Sequence, residues 1–230
     1  ERYGIQYRGQ SPFKPAYFVA GDHFVKNTPG YAYALYHGAS QWSIQTPARS
    51  LAQLGEPLFQ RSAEHYTSHK QSPFDHETDY SVMAISGKTG LIGFPVGNSY
   101  YAKGYWIYRE AFMHLVNEFV PRKLVETNAP LSTEVTVTYQ EANEASDRPE
   151  RYMVHLINWS PVRKTPGHPE MHEDVVPLTD VHVKLNIPFR NVLITTVASR
   201  EKLKHRMVDQ YIEVTVPKIS SHEIICFERS

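Results

Sequence analysis

Apolar positions in the first half of the chain come in short runs rather than long stripes. "YGIQYRG", "PAYFVAG", "YAYALYHG" and "WSIQT" are aromatic or β-branched, and Gly, Pro and an Asn-Thr-Pro-Gly turn separate them. Such runs predict strands. "DYSVMAISGKTGLIGFPVG" predicts a hairpin, with "YSVMAI" and "LIGFPV" joined by a turn over residues 86 to 90. One segment changes period. In "GYWIYREAFMHLVNEFVPRKL", Tyr108, Ala111, Phe112, Leu115 and Phe119 recur at helical spacing, which predicts a helix with its apolar stripe packed on a sheet. Gly104 precedes it, and Pro121 cannot continue its hydrogen bonding, so it should end near Val120. His114 inside it is read as a surface or packing residue.

After residue 125 the texture alternates. In "TEVTVTY", Val135 and Val137 share one face and Thr136 and Thr138 the other. "RYMVHLINW", "DVHVKLNI", "NVLITTVA", "QYIEVTVP" and "SHEIICFE" follow, with polar or proline-containing linkers between them. No further helical stripe interrupts them, so an antiparallel β-sandwich of about a hundred residues is expected. The fold class is therefore α+β and mostly β, with one long helix and then a sandwich. The boundary falls in "RKLVETNAPLS", giving domains over 1–125 and 126–230.

Composition narrows the function classes. Of 230 residues, 41% are hydrophobic and 21% charged, as in a globular protein. Lys plus Arg and Asp plus Glu both number 24, so no basic surplus suggests nucleic acid or an anionic membrane as a partner. No apolar stretch approaches the roughly 20 residues that span a bilayer. The single Cys226 lies in the strand-like "EIICFER", which fits a buried structural thiol, allows no intrachain disulfide and suits a cytoplasmic home. The N-terminus "ERYGIQYRGQ" has no Met and no leader-like pattern, which reads as the start of a fragment of a longer protein.

Candidate chemistry is sparse. "EHYTSHKQSPFDHETD", residues 64 to 79, gathers His65, His69 and His76 among Glu64, Asp75, Glu77 and Asp79. His65 and His69 would share one face if the segment were helical, a spacing used by zinc sites. Thr67 and Ser68 are indifferent helix formers, however, and Pro73 follows closely. Three readings stay open: a metal site, a polar ligand-contacting loop, and a hydrogen-bonded structural loop. The ligand-contact candidates are His65, Tyr66, His69, Asp75 and His76. A second cluster, "GHPEMHED", holds His168, Glu170, His172, Glu173 and Asp174 among prolines and reads as an exposed strand connection. No G-x-S-x-G elbow, Cys-His pairing or phosphate loop is present, and nothing nominates a carboxylate pair. Trp42, Trp106 and Trp159 could stack on sugar rings, although core packing is the plainer reading for each.

Three stretches together resemble a known family. "FQRSAEHYTSHKQSP" resembles the R-x-x-x-H-[FY]-x-S-H-x-x-x-P segment of a group of bacterial glycoside hydrolases. "GFPVGNSYYAKGYWIYREAFMHLVNEFVP" resembles the strand, Tyr/Gly link and helix that close their amidotransferase-like domain. "VETNAPLSTEVTVTYQ", "RYMVHLINWSP" and "HEDVVPLTDVHVKL" resemble the start of their C-terminal β-domain. The resemblance runs over most of residues 1 to 190. In that group a catalytic TIM barrel is followed by a flavodoxin-like domain of the beta-galactosidase trimerisation type and then a β-sandwich.

The resemblance implies that residues 1–125 are part of the amidotransferase-like domain, without the first parallel βαβ units, and that 126–230 are the sandwich. The family's catalytic carboxylates lie in the barrel, so no catalytic residue carries over, and neither a metal nor another cofactor is implied. The implied role is an accessory and assembly region of a glycosidase. Its partners would be the N-terminal catalytic region, further copies of the chain and a carbohydrate at the active-site rim. An independent carbohydrate-binding module is the alternative from another class, and a metal-dependent hydrolase built on His65 and His69 the third.

Overall fold

A computed structural model describes residues 3–21, 31–159 and 174–230. The chain is mostly β, as its short alternating runs require, and every described strand pair is antiparallel. It divides into two compact units, residues 1–121 and 122–230.

Among the described residues the first unit is a seven-stranded sheet with two helices. Its strands are β1 (Ile5–Gln10), β2 (Ala16–Ala20), β3 (Ala32–Leu35), β4 (Ser40–Ile44), β5 (Arg49–Pro57), β6 (Phe74–Ser86) and β7 (Thr89–Ile92). They lie in the order β1-β4-β6-β5-β2-β3, with β7 paired to β6, so β1 and β3 are edges. The expected hairpin is present, but it is tighter than residues 86 to 90, since Ser86 already pairs with Thr89. Its second strand stops at Ile92, where "PVGNSYYAK" turns into α1 (Val96–Lys103). Gly104 ends α1 with φ +63°, a left-handed position that a side chain would disfavour, and its N–H bonds Tyr100 O.

The expected helix is α2 (Trp106–Phe119), capped at Val120 just before Pro121. Ile107, Tyr108 and Ala111 are fully buried against Phe18, Leu54, Val82 and Phe94, with Leu115 and Phe119 at the margin. The stripe differs from expectation at Phe112, which is 53% exposed. A residue one position past Ala111 is rotated by about 100° and falls off the buried face. The docking is close: a Cβ on Gly90 of β7 would sit 2.8 Å from Phe119 Cε2 and 2.9 Å from Leu115 Cδ1.

Among the described residues the second unit is a sandwich of two four-stranded sheets. One orders β12 (Val192–Thr196), β15 (His222–Arg229), β10 (Arg151–Asn158) and β9 (Thr133–Gln140). The other orders β13 (His205–Val208), β14 (Tyr211–Ile219), β11 (Leu178–Leu185) and β8 (Val125–Thr127). Alternation places Val154, Leu156, Ile225 and Phe227 opposite Val181, Val183, Ile212 and Val214 in one core, with Val135 and Val137 packed against it. The same alternation aims His182, Lys184, Glu213 and Thr215 away from that core. Cys226 is a buried free thiol, and burial pushes its pKa up, as the strand-like setting indicated.

Candidate functional site

The His-rich stretch does not form one constellation. Residues 61 to 73 run as bends and irregular backbone rather than a helix, so His65 and His69 share no helical face. Asp75 and His76 lie on strand β6, not in a loop, because that strand begins at Phe74. His65, Tyr66 and His69 are exposed on the loop. Its own side chains bond part of its backbone. Ser62 Oγ accepts from the N–H groups of Glu64 (3.2 Å) and His65 (3.1 Å), and Thr67 Oγ1 lies 2.9 Å from the carbonyls of both His69 and Gln71. Ser72 Oγ donates to Phe59 O at 2.7 Å.

Two tyrosines anchor this loop to the sheet. Tyr17 donates its hydroxyl to Ser72 O, and Tyr36 donates to Gln71 Oε1 at 2.6 Å. Burial, then the hydrogen bond with Tyr105, pushes the Tyr36 phenol up to about 12, so it remains a donor at any ordinary pH. His76 lies between two carboxylates, with Nδ1 2.8 Å from Asp75 Oδ2 and Nε2 3.9 Å from Glu56 Oε2. Among the described residues no group of three or more His, Cys, Asp and Glu side chains could hold a metal ion. The second cluster lies outside the described residues from His168 to Glu173, and Asp174 is exposed.

The tryptophans also depart from the core reading. Trp106 and Trp159 are 43% and 48% exposed. Trp106 meets Tyr33 edge-on at 6.0 Å, and Trp159 Nε1 donates to Glu134 Oε2 at 3.2 Å. Trp42 is half-buried beside Tyr7, with ring centroids 5.1 Å apart and planes inclined at 59°. A cavity of about 300 Å³ beside it is bordered by Gln10, His37, Ser40 and Gly93.

A more ordered constellation stands on the outer face of β13-β14-β11-β8. Cross-strand register aligns Glu126 with Lys184, Lys184 with Glu213, and Glu213 with Arg206, so acid and base alternate across four strands. Glu213 Oε1 accepts from Arg206 Nε at 3.0 Å and from Nη2 at 2.5 Å, while Oε2 lies 3.8 Å from Lys184 Nζ. The side chain of Glu213 is only 7% exposed. The Arg206 hydrogen bond holds its carboxyl below the usual range against the opposing effect of burial, and the nearby charges of Arg206, Lys184 and His182 act in the same direction as the bond. In the adjoining row His182 Nδ1 lies 2.9 Å from Thr215 Oγ1. Asn128 is held between Asp180 O (3.4 Å) and the N–H of His182 (2.7 Å).

These side chains border a groove of two adjoining cavities, about 360 and 370 Å³, that share His182, Arg206 and Glu213. Sequence reading missed it. "VHVKL" and "YIEVTVP" show that His182, Lys184 and Glu213 leave the core, but the register that aligns them is a property of the folded sheet.

Comparison with models of known protein families gives no match, and no curated protein sequence matches the chain. A solved structure does. The fold is similar to that of alpha-L-fucosidase isoenzyme 2 from Paenibacillus thiaminolyticus, with TM-score 0.84 and 24% sequence identity over 100% of this chain. The chain spans 34% of the length of that enzyme. The likeness therefore establishes a fold shared, across both units, with one third of a glycoside hydrolase.

Proposed function

We propose that this chain is a non-catalytic accessory and assembly region of a glycoside hydrolase, the C-terminal portion that follows a catalytic barrel. The observation that carries the reading is the end-to-end fold likeness to one third of a bacterial fucosidase. Sequence motifs over residues 59–73, 93–121 and 125–185 support the same parentage, with residues 1–125 as the trimerisation-type domain and 126–230 as the sandwich.

Local chemistry agrees with an accessory role. The buried carboxylate Glu223 is committed to backbone N–H groups, whereas a catalytic acid or base must face a substrate. The assembly role draws support from the apolar side chains that α1 and α2 expose. Tyr101 is 91% exposed, and Phe112 and Trp106 also reach solvent. Partners of the assembly are the catalytic region and further copies of the chain, and the exposed His65, Tyr66 and His69, with the more distant Asp75 and His76, are contacts for a carbohydrate at the rim. No described helix is long and apolar enough to cross a membrane. A cytoplasmic setting is proposed from the single buried thiol and the absence of a disulfide framework.

The test is hydrolysis of p-nitrophenyl fucosides, galactosides and glucosides by the purified 230-residue protein. No turnover is expected. Turnover that co-purifies with the protein and falls on substitution of His65 or His69 would replace this reading with an independent hydrolase.

A further inference from the structure

The groove on the outer face of β13-β14-β11-β8 has features of a built site rather than of a solvated strand face. Long charged side chains on a strand face ordinarily gain little by pairing and keep their heads in water. Here the central one does not. Glu213 is more than nine-tenths enclosed, it receives two donors from Arg206 on one oxygen, and among the described residues its other oxygen has only Lys184 at 3.8 Å, beyond hydrogen-bond distance. A buried carboxylate oxygen can accept two donors, so Oε2 retains acceptor capacity toward the groove.

The neighbours are fixed in the same way. Asn128 and His182 are tied to backbone and to Thr215, so the groove presents its polar atoms with part of their freedom already lost. The two cavities, about 360 and 370 Å³, are each at the small end of the range for ligand sites.

The order of charges selects the ligand. An anion at the centre of the row would meet Glu126 and Glu213, and a cation would meet Lys184 and Arg206, so a single-sign ion has no cradle. A neutral molecule carrying several hydroxyls fits both. Each hydroxyl donates to a carboxylate and accepts from a neighbouring ammonium, guanidinium or amide. Glu213 Oε2 and Lys184 Nζ lie 3.8 Å apart, a gap that one hydroxyl bridges by donating to the carboxylate and accepting from the ammonium.

We propose that this groove binds a neutral saccharide through Glu126, Asn128, Lys184, Arg206 and Glu213. The choice of a saccharide among neutral polyols rests on the glycosidase reading given above. Among the described residues no Phe, Tyr or Trp borders the groove, so a sugar is held by hydrogen bonds, without the stacking contribution of a large aromatic platform. Affinity for a monosaccharide is accordingly millimolar, and specificity follows hydroxyl stereochemistry.

The experiment is backbone amide NMR of the 230-residue protein titrated with D-glucose, D-galactose and D-mannose, and separately with inorganic sulfate. Expected are saturable shifts at Asn128, His182, Lys184, Arg206 and Glu213 with at least one sugar, and none with sulfate. Lys184→Met and Asn128→Ala should weaken that response by about tenfold or more. Both side chains are more exposed than Glu213, so these variants preserve the dispersed spectrum of a folded protein even where Glu213→Gln does not. Three results overturn the inference: no groove shift with any sugar, shifts with sulfate at the same residues, or sugar shifts that survive both substitutions. Failure of the parent reading looks different. Sugars then still shift the groove, but a polypeptide carrying a barrel ahead of these residues hydrolyses no glycoside.

Discussion

Glu223 shows how one side chain organises its surroundings. It is 3% exposed and accepts from the N–H groups of Ala198 (2.9 Å), Ser199 (3.2 Å) and Ile224 (2.9 Å), which fixes the turn after β12. Burial pushes its carboxyl up, but these hydrogen bonds outweigh it and hold the pKa below the ordinary 4.5. A carboxylate lowered in the folded state stabilises the fold above its unfolded pKa, and that contribution is lost as pH falls through the folded value. Glu223→Gln should therefore reduce stability near neutral pH by about 2 kcal/mol in urea denaturation. The gap from the parent protein should narrow as pH drops below 4.5. A gap that widens in acid would mean that the carboxylate is not the stabilising species. In sequence, Glu223 is one acidic residue in "SHEIICFE" and nothing marks it. Its partners Ala198 and Ser199 lie more than twenty positions away, brought close only by the pairing of β12 with β15.

At the scale of elements, α2 was legible and α1 was not. Tyr108, Ala111, Leu115 and Phe119 recur at a period the sheet cannot use, and Pro121 marks the end. By contrast α1 contains Gly97 and Asn98, both weak helix formers, and buries only Ser99. It exists through its contacts with α2 and its Gly104 cap, neither of which a periodicity test sees. The first half of β6 was missed for a related reason: "FDHETD" is polar because it is exposed on the sheet, not because it is a loop.

Two substitutions test the docking of α2. Gly90→Val forces side-chain atoms into Phe119 and Leu115 and should cost about 1–3 kcal/mol, read as a lower thermal midpoint. Tyr108→Phe removes the hydroxyl that donates to Ala34 O and leaves that carbonyl without this donor. A loss of about 1–2 kcal/mol is expected. An unchanged midpoint for Gly90→Val would show that α2 does not pack on β7 as described.

For the whole molecule, each unit has its own core, and residues 122–230 expressed alone should give the dispersed amide spectrum of a folded β-sandwich. A collapsed spectrum would show that this core is insufficient alone. The mostly-β architecture and the sandwich were readable because alternation of Val135 with Thr136 or Val183 with Lys184 reports burial directly. Function was less readable, because a groove made by Glu126, Lys184, Arg206 and Glu213 depends on register across four strands whose groove residues lie up to 87 positions apart. The His-rich stretch had the opposite character: conspicuous in sequence, yet divided in space between a self-bonded loop and a strand.

The most direct test of the accessory role compares a polypeptide in which a catalytic barrel precedes these residues with the same barrel lacking them. Glycoside hydrolysis and assembled mass by light scattering are read from the same samples. The account predicts that removing the 230 residues lowers the assembly size and reduces turnover. A barrel that keeps both its mass and its rate without them would contradict it.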